Sequence, residues 1–190
     1  MRCYLSILLF LLLLAPAKAQ PKYEVRAAWV TAVYGLDWPR TKATTPTAIR
    51  RQQEELTDIL DKLKAANFNT ILFQTRTRGD VLYHSSIEPY NSILTGKVDG
   101  DPGYDPLAFA VRECHKRGME CHAWMVTIPL GNKKHVASLG SQSVTKRMKE
   151  ICVPYKREYF LNPGHPATKE YLMKLVREVV SGYDVDGVHF

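Results

Sequence analysis

Apolar positions along the chain follow two rhythms that alternate. Four short runs are rich in β-branched and aromatic residues: VRAAWVTAV (Val25 to Val33), FNTILFQ (Phe68 to Gln74), MECHAWMV (Met119 to Val126) and VDGVHF (Val185 to Phe190). Such runs read as strands. Between the first two, Thr47 to Ala66 carries Ile49, Leu56, Ile59, Leu60 and Leu63 at helical spacing. Thr45 supplies a cap and Pro46 the first helical position. Asp105 and Pro106 repeat that signal before PLAFAVRECHKR, which Gly118 stops. A third helix is predicted from Pro166 to Ser181, and residues 75–104 and 127–165 are expected to be long loops.

The order β-α-β-α-β-α-β predicts parallel strands joined by right-handed crossovers. Loops after strands are long, and loops after helices are turns of a few residues. The longer loops would gather at the carboxyl ends of the strands, where a (β/α)8 barrel builds its site. An open doubly wound sheet uses the same edge. No G-x-G-x-x-G follows the first strand and no G-x-x-x-x-G-K is present, so nucleotide-binding sheets lose ground. A complete four-stranded α/β domain would leave the last strand with an apolar, unpaired edge. A (β/α)8 barrel takes roughly 250 residues. The expectation is therefore an α/β protein, a (β/α)8 TIM barrel of which this chain holds roughly the first four strands. Residues 20–190 would form an N-terminal half truncated at strand four, inactive and poorly soluble by itself.

The first twenty residues change the setting. Arg2, the apolar run Tyr4 to Leu14 and Ala17-Lys18-Ala19 read as a secretory signal peptide over residues 1–19. The apolar run is too short to prefer spanning a bilayer. Cys3 lies at its start, where it offers no lipoprotein anchor, so no stable membrane anchor is expected after cleavage. A secreted or periplasmic bacterial protein follows, and export argues against nucleic acid as a partner. Arg2 and Lys18 leave with the leader, which lowers the formal charge from +7 to +5. A mild positive surface favours anionic glycans only weakly. Cys114, Cys121 and Cys152 remain; the first two fall in apolar patterns and read as buried free thiols, with a disulfide as the alternative.

Six stretches taken together resemble a known family. They are VRAAWVTAVYGLDWP (Val25 to Pro39), NTILFQTRTRGDVLYHSSIEPY (Asn69 to Tyr90), LTG (Leu94 to Gly96), PGYDPLAFAVRECHKRGMECHAW (Pro102 to Trp124), YFLNPGHP (Tyr159 to Pro166) and YDVDGVHF (Tyr183 to Phe190). Their order and spacing resemble the bacterial glycosyl-hydrolase-like family 10, a group of exported TIM-barrel proteins. The resemblance implies hydrolysis of glycosidic bonds in cell-wall glycan or a related polysaccharide. It also implies two acidic residues and an aromatic after Phe190, so the main catalytic acid is expected beyond that residue.

Strand alternation nominates residues independently. Gly187 and His189 share a face, and the residue directly after Phe190 would join them. Glycosidases need two carboxyl groups at a set separation, and an acid there fits that need. His189 is thus a catalytic candidate. Asp186 is a weaker one, on the opposite face and better suited to bonding backbone. His122 and Trp124 share a face of strand three, where a Trp could stack on a sugar ring or simply fill the core. Gln74 and Arg76 share a face of strand two and lead into Asp80 and Tyr83. Arg76 needs a carboxylate, and Asp80 is the nearest in sequence. Asp37 and Trp38 could border the cleft or pack the barrel end. Asn162 in LNPG could meet a ligand or orient its own turn.

The remaining chemistry is negative. The lysines and arginines of residues 127–165 read as a solvated surface more readily than as a clamp on an anionic glycan. No H-E-x-x-H or H-x-x-x-H is present, so neither metal nor other cofactor is expected and a metal-dependent carbohydrate deacetylase is disfavoured. No G-x-S-x-G elbow occurs. The alternative to a hydrolase is a non-catalytic glycan-binding barrel that stacks sugars on Trp124, Trp38 and Tyr83.

Overall fold

The computed structural model describes residues 24–190. The predicted signal peptide and Cys3 lie outside the described residues. Four strands, β1 (Ala27–Val30), β2 (Thr70–Arg76), β3 (Glu120–Met125) and β7 (Gly187–His189), form one parallel sheet in the order β1-β2-β3-β7. Helices α1 (Pro46–Ala65), α2 (Pro106–Lys116) and α5 (Pro166–Gly182) make the crossovers. Sequential strand order is the barrel pattern. A doubly wound sheet reverses direction at a switch point, and no reversal occurs here. The parallel α/β sheet is that of a partial barrel.

The caps act as the sequence implies. Thr45 Oγ1 accepts from Ala48 N at 3.1 Å, and Asp105 Oδ1 accepts from Ala108 N at 2.9 Å. Each pairs with a proline in the first turn. His165 caps α5, its Nδ1 accepting from Ala167 N. The helices bury one stripe each against one face of the sheet. Leu56 and Leu60 of α1, Leu107 and Cys114 of α2, and Leu175 and Val179 of α5 meet Ile71, Phe73, Cys121 and Ala123 in a single core. Each fully buried leucine contributes about 1.5–3 kcal/mol. Cys114, Cys121 and Cys152 are free thiols, the first two buried.

Several boundaries differ from the sequence reading, and three of the differences have a clear cause. β1 ends at Val30 because Ala32 N and Val33 N donate to the Gln74 side chain rather than to a ladder. β2 starts at Thr70 because Phe68 N still closes the end of α1 on Leu63 O, with Asn67 in the left-handed region at φ 63°. The third correction is larger. The stretch 127–165, read as a loop, holds an antiparallel sheet of β4 (Pro129–Asn132), β5 (Cys152–Tyr155) and β6 (Glu158–Leu161), in the order β4-β6-β5. Short helices α3 (Lys133–Ser138) and α4 (Val144–Arg147) lie between its strands. Strands of four residues are too short to show a readable period, and Pro or Gly interrupts two of the three.

Candidate functional site

The uncovered face of the parallel sheet is lined by aromatic and histidine side chains. Along β3, buried Cys121, Ala123 and Met125 alternate with partly open His122 and Trp124. In register, Trp124 lies between Gln74 and His189, and His122 between Leu72 and Gly187. Gly187 leaves room for His122: a Cβ on it would sit 2.6 Å from His122 Nδ1 and displace that ring. Trp29 of β1, which sequence reading absorbed into a strand, stands 53% exposed on the same face. Its ring centroid is 5.6 Å from that of His189, edge to face.

That contact measures the curvature of the sheet. Trp29 and His189 lie on the two edge strands, with β2 and β3 between them. At about 4.8 Å per strand, a flat sheet would hold β1 and β7 about 14 Å apart. Side chains stand perpendicular to a flat sheet and would not meet across that gap. The sheet is therefore curled, and Trp29, His122, Trp124 and His189 line its concave face.

The loops at the carboxyl ends of the strands are held by residues that the sequence had nominated for ligand contact. Gln74 Oε1 accepts from Ala32 N and Val33 N, each at 2.8 Å. Asp37 Oδ2 accepts from Thr31 N at 2.8 Å, which folds the β1 loop back on its strand. Trp38 is fully buried against Phe73 and donates its indole N–H to Gln52 O, so it packs the core rather than bordering a cleft. Tyr83 is also fully buried, its hydroxyl 3.2 Å from Glu178. Neither offers a stacking surface. Glu178 of α5 further accepts from Ser85 Oγ, Ser86 N and Ser86 Oγ, pinning the β2 loop to that helix. Asn162 Oδ1 accepts from Gly164 N and shapes its own turn.

Arg76 departs most from expectation. Its partner is Glu88, not Asp80. Nε and Nη2 donate to the two Glu88 oxygens at 2.7 Å each, and Nη1 bonds the carbonyls of Val126 and Thr127. The Tyr171 hydroxyl completes Glu88 at 2.5 Å. Burial opposes the Arg76 charge, yet Glu88 more than offsets it and holds the guanidinium above its ordinary value. Asp80 instead accepts from the Thr77 hydroxyl and Arg78 N, and faces His135 Nε2 at 3.5 Å.

Asp186 stands just before β7, at the amino end of the strand and away from the carboxyl rim. Its Oδ2 accepts from Cys121 N at 2.7 Å and meets His115 Nε2 at 2.8 Å. It is a brace, which removes it from the catalytic candidates. Burial pushes its carboxyl upward, but the bonds from Cys121 and His115 outweigh burial and hold it below the ordinary aspartate value. A depressed carboxylate stabilises the fold above the unfolded-state value and loses that contribution as pH falls through the folded one. Asp186→Asn is therefore expected to lower stability at pH 7, with the gap to the parent starting to narrow near the unfolded-state value of about 4 and closing only below the depressed folded-state value. Denaturant titrations at stepped pH check this, and parallel curves at every pH would contradict it. Among the described residues, no group of three or more His, Cys, Asp or Glu is arranged to hold a metal ion.

A curled parallel sheet with one-sided helices and long loops at its carboxyl rim defines a barrel-type α/β protein. The chain belongs to the family described as Glycosyl hydrolase-like 10, whose model matches residues 24–190. It is 33% identical over 174 residues to Glycosyl hydrolase YngK of Bacillus subtilis, covering 91% of this chain and 34% of that protein. It is 36% identical over 189 residues to Glycosyl hydrolase DigH of Escherichia coli K12, covering 92% of this chain and 43% of DigH. The chain thus spans less than half the length of either relative. Among solved structures, it matches the noncanonic maltogenic alpha-amylase AmyB of Thermotoga neapolitana with a TM-score of 0.53 at 15% identity. That match covers 85% of this chain and 37% of AmyB, and at such identity it speaks for the fold alone.

Proposed function

We propose that these residues belong to an exported glycoside hydrolase of (β/α)8 fold, acting on bacterial cell-wall glycan or a related polysaccharide. Family membership supports a glycosidase-type activity. The contact between Trp29 and His189 carries the reading further, because it makes the Trp- and His-lined face concave. Trp124, in the layer nearer the carboxyl rim, would lie against the apolar face of a sugar ring and His189 would bond its hydroxyls, while Trp29 and His122, one layer deeper, would pack the interior of the closed barrel. Two carboxyl groups would share the chemistry, one protonating the leaving oxygen and one acting as nucleophile or base. At least one of the two is expected beyond Phe190, where the residue directly following it would share the face of Gly187 and His189. β1 and β7 would pair with further strands to close the barrel, and residues 20–190 alone would be inactive.

The test is release of soluble saccharide from bacterial cell-wall glycan by the intact protein. Replacing the acid after Phe190 by its amide is expected to lower kcat by about 10²–10⁴-fold. Full turnover in that variant, or no release by the parent, would sink the proposal.

A further inference from the structure

At the rim, the loops after β1 and β2 and the helix α3 enclose a cavity of about 290 Å³ lined by Tyr34, Lys42, Arg78, Asn91 and His135 among others. Its lining holds two basic side chains, Lys42 and Arg78, and no carboxylate. The cations are met by neutral groups. Arg78 Nη1 donates to the Tyr34 hydroxyl at 2.7 Å, with its guanidinium 4.7 Å from the Tyr34 ring centroid. Lys42 Nζ donates to Ile93 O at 2.8 Å. Among the described residues, neither has an acidic partner. Arg78 Nε is buried without any partner, so the guanidinium is under-bonded as it stands.

The wall is shaped for this arrangement. Gly131 adopts φ +85°, and a Cβ there would lie 2.8 Å from the His135 ring and 3.4 Å from Arg78 Cδ. His135 Nε2 is turned back to Arg78 O at 3.0 Å, which holds the Arg78 backbone. Asp80, which faces His135 Nε2 at 3.5 Å, is buried and already bonded to Thr77 and Arg78 N. Burial holds the Lys42 amine below its ordinary value, as expected of a cation short of counter-charge.

We propose that this cavity binds a carboxylate carried by the glycan, with Arg78 and Lys42 as its counter-charges; the inference rests on the hydrolase reading above. An arginine fork suits a carboxylate, and a second cation at the mouth adds selectivity over neutral sugars. The carboxylate could sit on a sugar ring, as in a uronic acid, or on an ether-linked arm of an amino sugar, as in muramic acid. The lining serves both.

Calorimetry on the intact protein with three oligosaccharides of equal length separates the possibilities. One is neutral and built of N-acetylglucosamine, one alternates it with muramic acid, and one contains uronate. At least one anionic oligomer is expected to bind about tenfold or more tighter than the neutral one. The K42Q/R78Q double variant is expected to lose that preference while binding the neutral oligomer as before. K133Q, which removes a cation outside the cavity, should retain it. Whichever anionic oligomer loses more affinity in the double variant identifies the source. Should the double variant melt early, K42Q alone is expected to lose part of the preference at an unchanged Tm. Equal binding of neutral and anionic oligomers by the parent, or a preference that survives K42Q/R78Q, would overturn the cavity's role and leave the hydrolase reading intact. Failure to bind any of the three would overturn both.

Discussion

Arg76→Ala is expected to destabilise the protein by about 3–5 kcal/mol, the usual cost of stripping one partner from a buried ion pair. At about 2–4 °C per kcal/mol for a domain of this size, Tm should fall by roughly 6–20 °C. Arg76 is wholly buried, and so is nearly all of Glu88. Removing the guanidinium leaves a buried carboxylate with Tyr171 as its remaining side-chain partner and frees the carbonyls of Val126 and Thr127. The loss is one of compensation rather than of attraction. Replacing both members, as in R76M/E88L, should therefore recover much of the stability, because the desolvation of two charges disappears with them. Thermal melts of both single variants and the double variant form the cycle. A fall of less than about 1 kcal/mol in R76A would show that water or a shifted loop rescues Glu88, which the packing around it does not foresee.

The second large effect is functional. His189→Ala is expected to lower kcat/KM on glycan by about 10²-fold, equivalent to roughly 2.7 kcal/mol of transition-state stabilisation. His189 stands on the concave face in register with Trp124 and in edge contact with Trp29. Its strand mate Val188 packs against the core, which leaves the histidine on the open side of the sheet. Trp124→Ala should behave differently, raising KM more than it lowers kcat, because stacking on a sugar ring contributes to ground state and transition state alike. Steady-state kinetics with Tm as the control separate the two. Unchanged kcat/KM in H189A would return that residue to a packing role.

Much of the architecture was legible because its signals are local. The pairs Thr45-Pro46 and Asp105-Pro106 mark helix starts within four residues of chain, and both function as caps. The alternation of Cys121, His122, Ala123 and Trp124 separated the buried face from the open one correctly. Sites that depend on a returning loop were not legible. Glu88 reaches Arg76 only because the β2 loop doubles back, and proximity in sequence pointed to Asp80 instead. Trp38 and Tyr83 look like surface aromatics in polar loops, yet each is buried with its polar atom bonded. The Lys42–Arg78 cavity draws on two loops, and no spacing motif joins them.

From sequence alone came the identity, order and parallel sense of the sheet elements, because helical and strand periodicity, caps and crossover handedness are set by neighbours along the chain. Only the tertiary structure decided the curl of the sheet, the choice of charge partners and the small antiparallel sheet after β3. Those depend on where distant segments come to rest, and a side chain's partner is selected by that geometry rather than by its place in the chain.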